Sequence, residues 1–120
     1  MTNILIDSDK KLHNLLSKIE DCKEIGLDTE FIRESTYRPI LALIQISLAN
    51  EEIYLIDPQK IKDITGISKI ISDPKIIKII HSAKQDLEAL YSHLGSFPKN
   101  VFDTQIAYNF CVSYTHLTLP

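Results

Sequence analysis

The 120-residue sequence has few of the features that mark secreted, zinc-stabilised or membrane proteins. Its only cysteines, Cys22 and Cys111, lie far apart without a CxxC pair, so neither a disulfide framework nor a structural zinc site is indicated. No apolar run approaches the roughly 18 residues of a membrane span, and the N-terminus lacks a signal-peptide core. We therefore expect a soluble cytoplasmic protein without membrane association, in which oxygen atoms would hold any metal.

The sequence also has no strong excess of either charge, because it contains 13 basic and 16 acidic residues. The resulting pI of about 5.7 argues against indiscriminate electrostatic binding of nucleic acid. An acidic cleft can nevertheless accept phosphates once divalent ions occupy it. The hydrophobic fraction of 44% at this length predicts one globular domain with a real core. We find no internal repeat and no linker that would divide the chain.

The order of predicted elements indicates a mixed α/β sheet. A short strand, NILI, precedes an amphipathic helix that Asp7 or Ser8 would cap. The segments EIGLDTEFI, LALIQISLA and EEIYLID predict three strands whose short links favour an antiparallel meander. Helix, strand and helix units then follow: a helical segment that Gly66 would divide, the strand KIIKIIHS, a helix opened by a capping box of Ser82 and Gln85, and VFDTQIAYNF. This is the order expected of a ribonuclease H-like fold.

Two carboxylates stand one residue apart in the segment GLDTEF. On a strand, Asp28 and Glu30 project from one face, whereas Leu27, Thr29 and Phe31 project from the other. Like charges repel, and partial burial adds a desolvation cost unless a cation or a shared proton offsets both. The pattern therefore suggests a metal site, and an exposed strand face is the alternative.

Two further aspartates adjoin predicted core strands. Asp86 lies in the first turn of the helix after KIIHS, where N–H groups and the helix dipole favour an ionised carboxylate. Asp103, in VFDTQ, is a minor candidate for the same site. An N-cap for a helix beginning at Thr104 explains Asp103 as well or better.

These motifs together resemble the ribonuclease D family of DEDD-type 3′ to 5′ exonucleases. GLDTEFIRESTYRPILALIQIS resembles the first exonuclease motif with its downstream strand, and KIIHSAKQDLEAL resembles the second. IYLIDP resembles the strand between them, and VFDTQIAYNF the segment that follows. The resemblance covers about residues 22 to 110 and implies an exoribonuclease that trims the 3′ ends of tRNA and small RNA. The alternatives are a DNA 3′ to 5′ exonuclease of the same superfamily and a nonhydrolytic nucleic-acid-binding module on the same fold.

The resemblance implies that Asp28, Glu30 and Asp86 are three of four acids that bind two divalent ions, Mg²⁺ or Mn²⁺. Asp28 would be the ligand shared by both ions, and Glu30 would also position the substrate's terminal hydroxyl. Hard cations prefer carboxylate oxygens, and two ions about 3.5 to 4 Å apart stabilise the attacking and departing oxygens of a phosphodiester.

Neighbouring residues are candidates for contacts with a single-stranded RNA 3′ end, or with DNA. Phe31 would stack on a base or form part of the core. Gln45 would line the cleft, and His81 would face the substrate or serve a structural role. Arg33 and Arg38 would contact phosphates or remain solvated loop residues. No protein partner is evident.

The third motif of the family, a tyrosine followed by the fourth metal-binding aspartate, would lie beyond Phe110. No acidic residue follows Asp103. We therefore expect residues 1–111 to form a partial exonuclease domain, truncated before the last core strand and helix, with little or no hydrolytic activity of its own. The ending VSYTHLTLP resembles the translation of a sequencing adapter, and we interpret residues 112–120 as a non-native tail; an unusual natural tail is the alternative.

Overall fold

A computed structural model describes residues 2–32 and 40–118, and the side chains as far as residue 113. Arg33 and Arg38, the predicted phosphate contacts, lie outside the described residues. In chain order the elements are β1 (Thr2–Ile6), α1 (Asp9–Ile19), β2 (Glu24–Ile32), β3 (Ile40–Ser47), β4 (Glu52–Ile56), a 3₁₀ turn (Pro58–Lys60), α2 (Thr65–Ser72), β5 (Ile77–Ile80), α3 (Lys84–Leu94), β6 (Val101–Asp103) and α4 (Thr104–Thr118).

The six described strands form one mixed sheet in the order β1, β4, β3, β2, β5, β6. Strands β2, β3 and β4 are antiparallel neighbours, which confirms the predicted meander. Strands β1, β5 and β6 add in parallel to β4, β2 and β5, respectively. A parallel neighbour requires a crossover, and α2 and α3 supply helices between β4, β5 and β6. The predicted mixed α/β class is confirmed.

The hydrophobic core lies between one face of the sheet and helices α1, α2 and α3. Helix α1 contributes Leu12, Leu15 and Ile19, and α2 contributes Ile67 and Ile71, all of them buried. The inward side chains of the strands complete the cluster with Ile25, Leu27, Ile44, Ile46, Ile56 and Ile80. Burial of these branched side chains is the main stabilising contribution to the fold.

Helix boundaries follow local capping chemistry. Ser8 caps α1 by accepting a hydrogen bond from the Lys11 N–H at 3.3 Å. Gly66 does not divide the segment before β5, because it lies within the first turn of α2. A Cβ at this position would come 2.2 Å from Leu16 Cδ1, so the glycine allows α1 and α2 to approach closely.

Strand β5 carries an unusual interior residue, Lys78, which is fully buried. Its ammonium donates hydrogen bonds to the carbonyl oxygens of Asp73 and Lys99, which lie on either side of the strand in sequence. Burial lowers the pKa of Lys78, and the nearby Asp73 carboxylate opposes that shift. The side chain therefore links the end of α2 to the loop before β6.

Helix α4 continues from Thr104 to Thr118 and crosses the predicted boundary between residues 111 and 112. It follows β6 directly in the chain and leaves Ile106, Tyr108 and Phe110 exposed. The boundary itself stays a prediction. Among the described residues, no helix has the length and apolar character needed to traverse a lipid bilayer.

Candidate functional site

Asp28 and Asp86 meet at a single backbone N–H group. The register between β2 and β5 extends to the pair Gly26 and Ile79. Beyond that pair, the Thr29 N–H donates to Asp28 Oδ1 at 2.9 Å and to Asp86 Oδ1 at 3.1 Å. Because both oxygens lie within hydrogen-bond distance of one nitrogen, the two carboxylates are close neighbours.

Asp86 is the buried member of this pair. It lies in the first turn of α3, and only 7% of its surface is exposed. The Thr29 hydroxyl also donates a hydrogen bond to Asp86 Oδ1. Burial raises the pKa of Asp86, the Asp28 charge raises it further, and the hydrogen bonds from Thr29 partly oppose both effects. The hydrogen bonds from Thr29 therefore do not fully compensate the ionised form of Asp86 for its burial beside Asp28.

Glu30 lies on the same face of β2 as Asp28, as the strand alternation predicts. Both side chains are exposed, whereas Leu27 and Thr29 are buried and Phe31 is half-buried. The β2–β3 register shifts between Glu30 and Phe31, because β3 has an extra residue, Ala42, between their partners Leu43 and Leu41. Bulges change the direction in which a side chain points and are frequent beside active sites.

The described residues bring together two of the three predicted acids rather than all three. Within residues 2–32 and 40–118, no group of three or more His, Cys, Asp or Glu side chains is arranged to hold a metal ion. Asp28 and Asp86 share the Thr29 N–H, and Glu30 remains two residues along the strand. The assignment of all three as metal ligands stays a prediction.

A groove runs along the open face of the sheet beside Asp28, with a volume of about 490 Å³. Gln45 lies directly opposite Asp28 in the β2–β3 register and lines this groove. Gly26 and Ser47 form another part of the wall, and a Cβ on Gly26 would come 2.1 Å from Ser47 Oγ. The position predicted for Gln45 is thus one from which it can contact a ligand beside Asp28.

His81 lies at the end of the same groove and is exposed. Its Nδ1 is 2.9 Å from the Thr104 hydroxyl oxygen, and that hydroxyl donates a long hydrogen bond of 3.5 Å to the Ile80 carbonyl. The contact between Nδ1 and the Thr104 hydroxyl holds the imidazole at this end of the groove. His81 has both the structural contact and the accessible groove position that the sequence left as alternatives. Phe31 does not line this groove.

Asp103 has a role that the sequence revealed only in part. As predicted, it caps α4: Oδ1 accepts from the Gln105 and Ile106 N–H groups at 2.9 and 3.4 Å. The same carboxylate also accepts from Ser82 N–H at 3.0 Å and from Ala83 N–H at 2.7 Å, at the start of α3. These backbone hydrogen bonds, chiefly that from Ala83, lower the pKa of Asp103.

The predicted capping box of Ser82 and Gln85 is wrong. Helix α3 begins at Lys84 after Ala83, and no side chain within the helix caps it. Ser82 has φ of 58°, in the left-handed region, whereas an N-cap serine needs an extended backbone. The start of α3 is capped by Asp103 instead. Asp103 lies close to Ser82 and Ala83 because it is the register partner of Ile80 at the ends of the parallel strands β5 and β6.

Comparisons with known proteins agree with these features. Residues 3–118 match the family model described as 3'-5' exonuclease. The chain is 43% identical over 119 residues to ribonuclease D of Desulfotalea psychrophila, covering 91% of this chain and 32% of that protein. It is 39% identical over 107 residues to ribonuclease D of Escherichia coli, covering 89% of this chain and 28% of that protein. The chain thus spans about a third of the length of these relatives.

Solved structures give the same result. The crystal structure of Escherichia coli RNase D superposes with a TM-score of 0.86 at 39% identity, covering 92% of this chain and 29% of that one. The catalytic core of RRP6 from Trypanosoma brucei gives 0.81 at 26% identity, covering 88% and 29%, respectively. The predicted resemblance to ribonuclease D is therefore confirmed. Because the family model matches nearly the whole sequence, the chain belongs to the 3′-5′ exonuclease family.

Proposed function

We propose that this chain supplies part of a 3′ to 5′ exoribonuclease site that removes nucleotides from RNA 3′ ends. The observation that carries the proposal is the meeting of Asp28 and Asp86 at the Thr29 N–H, beside a groove lined by Gln45 and His81. The relative of known structure from Escherichia coli is described as an exoribonuclease involved in structured RNA processing. Its likeness to this chain supports RNA as the substrate class.

The donor set fits divalent metal ions of the Mg²⁺ or Mn²⁺ type. Carboxylate oxygens are the ligands that these hard cations prefer, and Asp28 and Asp86 offer them side by side. Burial and the Asp28 charge both raise the pKa of Asp86, and a bound cation would offset the cause of each shift. Asp28, Asp86 and Glu30 are the residues that would hold two ions. When bound, such ions polarise the scissile phosphate and stabilise charge on the attacking and departing oxygens.

The protein groups have separate tasks in this proposal. Thr29 fixes the two aspartates relative to each other through its N–H and hydroxyl. Gln45, opposite Asp28, can donate or accept a hydrogen bond at the terminal nucleotide. His81 presents Nε2 to the same groove, while its Nδ1 is held by Thr104. Glu30, on the exposed face of β2, would orient the terminal hydroxyl.

Metal binding by the chain itself provides the first test. We expect titration with Mn²⁺ in a calorimeter to give measurable binding that Asp28→Asn abolishes. Asp9→Asn is the matched control, because Asp9 also accepts backbone hydrogen bonds, from Lys62 and Asp63, but does not line the groove. Equal Mn²⁺ affinity in the wild type and Asp28→Asn would contradict the proposed site.

Hydrolysis needs a second test, since the chain spans about a third of its relatives. We would exchange the matched segment of Escherichia coli RNase D for residues 3–111 of this chain and assay shortening of a 5′-labelled single-stranded RNA with Mg²⁺ or Mn²⁺. We expect stepwise loss from the 3′ end, which Asp28→Asn in the hybrid abolishes. An active hybrid that is unaffected by Asp28→Asn would refute the assignment. Preferential shortening of a matched DNA would move the substrate class to DNA, and RNA binding without shortening would indicate a nonhydrolytic module.

A further inference from the structure

The carboxylate of Asp103 joins the first turns of two helices. It accepts hydrogen bonds from four backbone N–H groups, two at the start of α3 and two at the start of α4. A typical N-cap aspartate serves one helix. Oδ2 binds Ala83 alone at 2.7 Å, whereas Oδ1 accepts the other three hydrogen bonds. The two oxygens therefore have different partners, and one of them serves α3 only.

Helix α3 depends on this contact because it has no side-chain cap of its own. Ala83 occupies its cap position and cannot accept a hydrogen bond through its side chain. Ser82, immediately before it, holds a left-handed φ of 58°. A non-glycine residue in that region is strained by about 1 kcal/mol or more, so surrounding contacts must hold it there. The N–H groups of Ser82 and Ala83 receive that support from Asp103.

The position of Ala83 is transmitted to Asp86 within one helical turn. The Leu87 N–H donates to the Ala83 carbonyl at 2.9 Å and closes the first turn of α3. Asp86 lies inside that turn and reaches from it to the Thr29 N–H and hydroxyl. The chain of contacts therefore runs from Asp103 through Ala83 and the first turn to the point where Asp86 meets Asp28.

Thr104, which follows Asp103 in the sequence, contacts the side chain of His81. Its hydroxyl is hydrogen-bonded to His81 Nδ1 at 2.9 Å, which fixes the orientation of the imidazole and favours one tautomer. Its side chain also lines the groove together with His81 and Asp28. Two consecutive residues thus contact the helix start that carries Asp86 and the imidazole of His81, which lines the groove beside Asp28.

We infer that Asp103 and Thr104 are positioning residues of the proposed site: Asp103 fixes Asp86 through the start of α3, and Thr104 orients the imidazole of His81. The relevance to catalysis rests on the proposed function, but the positioning itself does not. Asp103→Asn is a sharp test, because an amide offers one acceptor oxygen. Either the Ala83 N–H or the three N–H groups on Oδ1 then face an NH₂ group.

Amide hydrogen exchange by NMR on the whole chain tests the Asp103 arm. In Asp103→Asn, we expect the amides of Ser82 or Ala83 and of Thr29 to exchange at least about fivefold faster, the factor for one lost hydrogen bond. Asp9→Asn, which removes a carboxylate bonded to two consecutive backbone N–H groups elsewhere, should leave Thr29 exchange unchanged. Faster exchange at Ser82 and Ala83 with unaltered exchange at Thr29 would overturn the inference.

The wild-type chain provides the same information if Asp103→Asn does not fold. Native-state exchange at rising denaturant should show Thr29, Ser82 and Ala83 opening as one unit, and separate opening free energies would refute the coupling.

Imidazole ¹⁵N spectra test the role of Thr104. Thr104→Val should shift His81 towards a mixture of tautomers, and Thr104→Ser should restore one. An unchanged spectrum in Thr104→Val would refute the role of Thr104. Failure of wild-type Mn²⁺ binding would refute the metal site while these readouts still decide the positioning.

Discussion

Replacing Asp86 by asparagine should make the chain more stable at neutral pH. The carboxylate of Asp86 is almost fully buried and lies beside the charged Asp28. Burial and that neighbouring charge raise the pKa of Asp86, so its ionised form is unfavourable in the folded chain. Asparagine has nearly the same shape and keeps one oxygen for the Thr29 donors, but it carries no charge.

The size of the effect follows from opposing contributions. Burial, the largest contribution, disfavours the carboxylate by about 2 kcal/mol, and the like charge of the exposed Asp28 adds about 1 kcal/mol. Asparagine loses the added strength of two charge-assisted hydrogen bonds from Thr29, about 1 kcal/mol each. The difference leaves Asp86→Asn more stable by about 1 kcal/mol at pH 7, or about 3 to 5 °C in Tm for a domain of this size.

The pH dependence provides a second signature. Because the folded pKa of Asp86 lies above its unfolded value of 3.8, the folded wild type binds the proton more readily between these two values. The free energy of unfolding therefore falls as pH rises through this window, and the penalty is fully present above the folded pKa. The advantage of Asp86→Asn should shrink as the pH is lowered towards 3.8.

Urea unfolding of both proteins at pH 7, 5.5 and 4 measures this difference. A variant that is less stable than wild type at pH 7, or a difference that stays constant with pH, would refute the electrostatic reasoning. Asp103 supplies a comparison of opposite sign, because backbone donors lower its pKa. Its stabilising contribution is present above its unfolded pKa of 3.8 and is lost as pH falls through the folded value.

Three further changes test other parts of the structure. Thr29→Val removes a hydroxyl donor to buried Asp86; it should destabilise by about 1 to 2 kcal/mol and raise the pKa of Asp86 further, as measured by carboxyl ¹³C NMR, and an unshifted carboxyl titration would contradict this. Leu15→Ala leaves a cavity beneath α1 and should cost about 3 kcal/mol in urea unfolding, whereas a loss below about 1 kcal/mol would mean the core is loosely packed there. Deletion of residues 112–120 should leave Tm within about 2 °C of wild type, because the side chains of Tyr108, Phe110 and Val112 are exposed, and a larger drop would argue that the tail is part of the fold.

Much of the sheet could be predicted because its signals are local. Alternation of apolar and polar residues set the inward and outward faces of β2, and short links between β2, β3 and β4 required antiparallel pairing. The helical position of Asp86 followed from the apolar spacing of α3. Each of these inferences depends on residues within a few positions of one another.

The parts of the site that could not be predicted depend on register across the sheet. Asp103 reaches Ser82 and Ala83, about twenty positions earlier, because β6 ends beside β5. The capping box failed at Ser82 because its backbone is left-handed, and sequence propensity favours no such conformation for serine. The shared N–H of Thr29 likewise exists because β5 stops pairing with β2 before that residue.

The buried amine of Lys78 gives this chain an internal reporter of its own opening. Acylating reagents modify an uncharged, solvent-accessible amine, and Lys78 in the folded protein is buried and donates hydrogen bonds to two carbonyl oxygens. Its modification must therefore wait for the end of α2 or the loop before β6 to separate from β5. The rate at which one peptide gains an acyl mass would then time the opening of the strand that leads into the first turn of α3.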